Sequence, residues 1–247
     1  MQEKELYNNW HEKRGKAESD DHVLNDPWYQ TVMRLLPDLS EKKVLEIGAG
    51  RGAFAIWMAQ KYPTASIVAS DFSEKAIAIA QNKISDSTYN NLHFEVANAE
   101  DLQYPDKHFD LVISCETMEH VLDPQAMANE IYRVLKPGGG FILTTENYLN
   151  GMLINWIKAW ITKRPFNSGS GIQPHENFFL FFKVANYFKR AGMLLTHTES
   201  NHYQWLLLPG VNPASLCTKN FHSPFLKSIF KPFGRHYTFV GIRPNRN

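Results

Sequence analysis

The chain has 247 residues, 43% of them hydrophobic, which suffices for one sizeable core with appendages and falls short of two full domains. Two cysteines (Cys115 and Cys217), a charged N-terminus and no uncharged apolar run of spanning length argue against a disulfide scaffold, a signal peptide and a transmembrane helix. The expectation is a cytoplasmic protein, soluble or at most peripheral to a membrane. The net charge of +1 conceals an asymmetry: residues 1–146 hold 14 Lys/Arg against 23 Asp/Glu, and residues 147–247 hold 12 against 2. The basic half favours anionic company, leaving nucleic acid, an anionic membrane, an acidic small substrate and simple pairing with the acidic half all open.

Residues 1–40 are polar with scattered aromatics (Tyr7, Trp10, Trp28, Tyr29), and they read as a lid segment ahead of the main domain, 41–247. From Lys43 onward, short β-branched runs alternate with helical patterns, the signature of a doubly wound, mostly parallel α/β sheet. "KVLEIG" is the first strand, followed by a helix whose Phe54, Trp57 and Met58 face the core and which Pro63 stops. "ASIVASD" is the second strand, with Ser73 as N-cap of a helix through Ile77 and Ala80. "LHFEVAN" and "DLVISC" are the third and fourth strands. A helix then opens at Asp123–Pro124 and closes at Pro137 and the glycines. "GFILTTE" is the fifth strand, "FKVANYFKRAGM" the last large helix, and "MLLTHTE" and "RHYTFVGIRP" the closing strands. Insertions at 147–175 and 201–234 fall outside the alternation. Ligands of open α/β sheets bind beyond the carboxyl ends of the strands, so these additions are natural covers.

The stretch "VLEIGAGRGAFA" turns a buried strand into a helix through Gly48, Ala49, Gly50 and Gly52. Gly48, Gly50 and Ala53 also satisfy the dinucleotide fingerprint, with Asp71 at a ribose-binding distance. Glu46 decides against a pyrophosphate. At the end of the first strand it points towards the ligand, where a carboxylate repels phosphates and attracts an ammonium. S-adenosylmethionine (SAM) has an ammonium, a sulfonium and an adenosine, and no phosphate. Asp71 is placed to accept both ribose hydroxyls, Phe72 to cover the adenine face, and Asn98–Ala99–Glu100 to meet the adenine edge. Cys115, Glu116 and His120 border the sulfonium end; Cys115 reads as a small buried filler rather than a nucleophile.

Together "VLEIGAGRG", "SDFSEKAIAIA" and "FEVANAEDLQYPDKHFDLVISCETMEHVLDPQAMANEIYRVLKPGGGFILTT" resemble the class I SAM-dependent methyltransferases over about residues 43–146. The resemblance implies a seven-stranded sheet whose last strand inserts antiparallel, and it puts Glu46, Gly48, Gly50, Gly52, Asp71 and Asn98 on cofactor-contact positions. The third-strand loop of the family commonly begins with Asp, where this chain has Asn98.

Methyl transfer from a sulfonium is a displacement that needs alignment, exclusion of water and, for hydroxyl acceptors, a proton acceptor. His120, Glu146 and His175 are the candidates. Leu149, Met152, Leu153, Trp156, Ile157, Trp160 and Ile161 share one helical face, and aromatics interleave with Lys227, Lys231 and Arg235. These segments read as a small α-helical cap over an apolar or anionic acceptor: a small molecule, a lipid at an anionic membrane, or a chain held by a carrier protein. Nucleic acid is disfavoured because the cations are dispersed among apolar residues. His11–Glu12 and His175–Glu176 lack metal-ligand spacing, so no metal site is expected. Two other readings stay open: an enzyme that moves or cyclises the aminocarboxypropyl arm of SAM, and a noncatalytic SAM-binding protein.

Overall fold

β1 (Lys43–Ile47) lies inside a seven-stranded sheet. The computed structural model describes residues 2–14, 24–85, 89–147, 160–161, 163, 177, 179–203, 225 and 234–245. β2 (Ser66–Asp71), β3 (Leu92–Val96), β4 (Phe109–Cys115) and β5 (Leu135–Glu146) join β1 in parallel. β7 (Gly234–Ile242) inserts antiparallel between β5 and β6 (Leu194–Tyr203), which gives the order β3-β2-β1-β4-β5-β7-β6. The chain order doubles back at β1/β4, which opens a crevice at the carboxyl ends of those strands.

Strand alternation divides the core into two layers. Leu45 and Ile47 pack with Met127, Ile131, Phe141, Phe188 and Phe239, beneath α5 (Pro124–Val134) and α6 (Phe181–Ala191). Val44 packs with Phe54, Met58, Ile67, Ile77 and Ile113 beneath α3 (Ala53–Lys61) and α4 (Glu74–Ile84). Phe141 and Phe188 stack at 4.2 Å, a contact worth about 0.5–1.5 kcal/mol beyond the area it buries. The capping residues behave as their side chains dictate. Ser73 accepts from the Ala76 amide, and Asp123 accepts from those of Gln125 and Ala126.

Two boundaries differ from the sequence expectation. α5 ends at Val134 and β5 starts at Leu135, five residues before Gly140. Pro137 disfavours helical backbone at Lys136, so the chain extends early and pairs Leu135 with Phe109. Arg243, beyond β7, then donates to the carbonyls of Tyr132, Arg133 and Leu135 and satisfies the exposed end of α5. β6 continues to Tyr203 because β7 offers it partners along its whole length.

The N-terminal stretch splits in two. α1 (Gln2–Arg14) lies on α4, with Lys4 paired to Glu74 and Asn8 Oδ1 accepting from Ser73 Oγ and the Lys75 amide. α2 (Pro27–Leu35) is built into the α3 layer, where Val32 is fully buried and Trp28 and Tyr29 pack alongside. The expected cap over 147–175 and 201–234, with Trp156 and His175, lies largely outside the described residues. Of its apolar face, Trp160 and Ile161 are described and stand exposed. No helix among the described residues is long and apolar enough to cross a membrane.

Candidate active site

The glycine turn after β1 shows a division of labour. A Cβ on Gly48 would meet Thr117 Oγ1 at 2.0 Å, and one on Gly52 would meet Phe94 at 2.5 Å. Both glycines therefore serve packing. A Cβ on Gly50 would meet nothing within 4 Å, so this is where the backbone faces open space. Gly50 N donates to Asp71 Oδ2 at 2.8 Å, and Ser73 N donates to Asp71 Oδ1 at 2.8 Å, which locks the carboxylate at the end of β2. Burial pushes the Asp71 carboxyl up, partly offset by those amides.

A cleft of about 200 Å³ opens above these strand ends. Gly48, Gly50, Asp71, Phe72, Asn98, Ala99, Glu100, Glu116 and His120 all line it, so the structure brings together nine of the expected contact residues. Tyr7 and Trp10 of α1 close one side, with the Tyr7 hydroxyl donating to the His120 carbonyl at 3.1 Å and its ring edge-on to Phe72. Val121 and Leu122 supply an apolar border. Asn98 Oδ1 accepts from the Glu100 amide, which shapes the loop after β3, and Glu100 in turn accepts from the Asp123 amide.

Four expected contact residues, Glu46, Ala49, Gly52 and Cys115, lie outside the cleft wall. Glu46 is set back from the cleft lining by register: its partners Ala69 and Ile113 belong to the α3 layer, so its side chain turns to that side of the sheet. It is 1% exposed, and one carboxylate oxygen, Oε2, has no hydrogen-bond partner. Burial first, and the charge of Asp71 second, push its pKa up to about 8. Cys115 is buried and its thiol is pushed well above the ordinary range by burial, as suits a core filler.

Of the three candidate proton acceptors, His120 is on the cleft wall and His175 lies outside the described residues. Glu146 belongs to a group that sequence spacing does not reveal. It faces His236 across the β5–β7 register, and ligand-type atoms of Glu116, Glu146 and His236 all lie within 4.8 Å of one another. His236 Nδ1 is 3.2 Å from Glu116 Oε2, and the His236 ring packs on Trp28 at 5.0 Å. Glu119, 1% exposed beside them, accepts from Thr145 Oγ1 at 2.9 Å and is pushed up to about 8 by burial and then by the charge of Glu116. His236 was legible only as a strand residue, because the register that places it beside Glu116 joins positions 120 residues apart.

The residues present suit SAM. The described lining carries Asp71, Glu100 and Glu116 and contains no Lys or Arg, a poor wall for phosphates and a good one for a cationic, hydroxyl-rich ligand. The open face of Gly50 and the unpartnered Glu46 oxygen beneath the turn point the same way.

The sheet order, antiparallel β7 and phosphate-averse glycine cleft define a class I SAM-dependent methyltransferase fold. Residues 38–205 match the family model described as a methyltransferase domain, and the chain belongs to that family. Among curated relatives, it is 31% identical to the demethylmenaquinone methyltransferase of Listeria monocytogenes serotype 4a over 47% of this chain and 49% of that one. It is 34% identical to the ubiquinone/menaquinone biosynthesis C-methyltransferase UbiE of Rickettsia akari over 48% of this chain and 50% of that one. The chain thus aligns with about half the length of these relatives. The SAM-dependent methyltransferase of Mesorhizobium loti superposes with a TM-score of 0.62 at 18% identity, covering 89% of this chain and 100% of that one, a likeness of fold.

Proposed function

We propose that this chain transfers the methyl group of SAM to a small apolar acceptor bearing an ionisable hydroxyl, a reduced quinone being the best-fitting chemistry. The observation that carries the reading is the composition of the cleft: an acidic wall free of Lys and Arg meets an apolar border, Val121–Leu122, beside Glu116 and His120. The names of the Listeria and Rickettsia relatives support a quinone ring as the acceptor.

When bound, SAM supplies an electrophilic methyl group on a sulfonium. In this reading Asp71 holds the ribose hydroxyls, the Asn98–Glu100 loop meets the adenine, and Gly50 admits the ligand backbone-close. Glu46 acts from beneath the turn, its charge drawn out by the ligand's ammonium. α1 serves as a cover, since it reaches the cleft through Tyr7 and Trp10 while resting on α4 through polar contacts. The basic charge of the C-terminal half favours contact with an anionic membrane, from which an apolar acceptor would be drawn.

The test is incubation with SAM and short-chain demethylmenaquinol, followed by mass spectrometry. S-adenosylhomocysteine (SAH) formed in step with methylated quinol supports the reading. Methylthioadenosine would instead identify transfer or cyclisation of the aminocarboxypropyl arm, and SAM bound without turnover would identify a binding protein.

A further inference from the structure

Glu116 holds a combination of features that cofactor binding alone does not call for. It lines the cleft, yet it sits at φ +49°, a left-handed conformation that costs a non-glycine residue free energy and persists where the surroundings enforce it. Those surroundings are specific. Its amide is within reach of Thr144 O at 3.1 Å, which ties it to β5, and its carboxylate meets His236 Nδ1 of β7 at 3.2 Å. His236 is 4% exposed and its ring packs at a tilt on Trp28 of α2, so the imidazole is held between Trp28 and Glu116. The carboxylate of this cleft-lining residue is thus oriented by a buried imidazole. A carboxylate on a cleft-lining residue, with a second group that orients it, is the pairing a proton acceptor uses.

We infer that Glu116 is the proton acceptor for the methyl acceptor's hydroxyl, and that His236 is its positioning residue. The inference rests on the hydroxyl-acceptor reading above. The proton leaves the acceptor's hydroxyl for the Glu116 carboxylate, and the negative charge spreads into the ring. A ring carbon forms the new C–C bond to the methyl group as the S–CH₃ bond breaks, its electron pair remaining on sulfur. Loss of that carbon's proton to water restores the ring, so no oxidant or reductant is consumed. Glu119 and Glu146 complete the acidic surroundings of the pair, with Tyr29 and Cys115 beneath it and His120 on the same loop. His236 Nδ1, 3.2 Å away, keeps the Glu116 side chain in place among these acidic neighbours.

The experiment combines histidine-selective ¹⁵N NMR of the SAH complex with kinetics on short-chain demethylmenaquinol, using Glu116→Gln and His236→Gln. The expected spectrum holds a hydrogen-bonded His236 Nδ1 resonance that moves when SAH is added and is lost in Glu116→Gln. Turnover should fall about 100-fold in Glu116→Gln and about 10-fold in His236→Gln, in each case by far more than SAH affinity changes. The acid limb of the wild-type pH–rate profile should disappear in Glu116→Gln. An Nδ1 resonance indifferent to both SAH and Glu116→Gln overturns the proposal, as does a pH–rate profile unchanged in Glu116→Gln. Turnover abolished by a chelator and restored by Mg²⁺ also overturns it, because Glu116, Glu146 and His236 would then hold a cation. If the wild-type protein leaves the quinol unmethylated, the acceptor reading fails, and the response of His236 to SAH decides the pair by itself.

Discussion

Asp71 accepts from the Gly50 and Ser73 amides before any ligand arrives, so its orientation costs nothing at binding. Asp71→Ala should weaken SAM binding by about 1.5–3 kcal/mol, the range for hydrogen bonds to a charged group, as read by calorimetry. The three glycines separate by the same kind of measurement. Gly50→Ala should weaken SAM binding in a protein that still folds, since its Cβ enters open cleft, though at φ +54° it adds some strain. Gly48→Ala and Gly52→Ala should lower the melting temperature, because their Cβ atoms would collide with Thr117 and Phe94. Glu46 and Glu119 give a pH signature. Both bind protons more tightly folded than unfolded, with pKa values pushed from 4.5 up to about 8. Their stabilisation is complete at the acid end of that window and is lost as pH rises through about 8. The ligand-free protein should therefore melt at a lower temperature at pH 8 than at pH 5, with a shallower dependence in Glu46→Gln. A melting temperature that climbs across the window would contradict the burial of these carboxyls.

At the scale of elements, α1 and the β3–β4 loop behave oppositely. α1 rests on α4 through polar and exposed contacts such as Lys4–Glu74 and Lys75–Glu12, each worth little in water. Its amides should exchange fast in the free protein and slow when SAH saturates the cleft beside Tyr7 and Trp10; unchanged exchange would leave α1 as a docked ornament. The β3–β4 loop is pinned by Arg133, which donates to the Leu102 and Tyr104 carbonyls and pairs with Glu130 and Asp106. Arg133→Ala should cost about 2–3 kcal/mol in urea unfolding while leaving the cleft chemistry in place. The strands and caps were legible because alternation and cap residues act locally: Ser73 and Asp123 cap where their spacing says they must. The early start of β5 and the full length of β6 were not, since each depends on a partner strand supplied from elsewhere in the chain.

For the whole molecule, the sheet class, the antiparallel last strand and most of the cleft were readable, because the cleft-lining residues sit at fixed offsets from strand ends. The orientation of Glu46 and the Glu116–His236 pair were hidden, since both depend on sheet register and long-range pairing. The acidic cleft, whose described lining holds no Lys or Arg, suits a cationic cofactor. A crystal structure of the SAH complex tests the assignment of the cleft. The ribose should lie on Asp71, the adenine against Phe72 and the Asn98–Glu100 loop, and the sulfur at the Glu116–His120 end of the cleft. SAH bound elsewhere, or with its adenine and sulfur ends reversed, would contradict it.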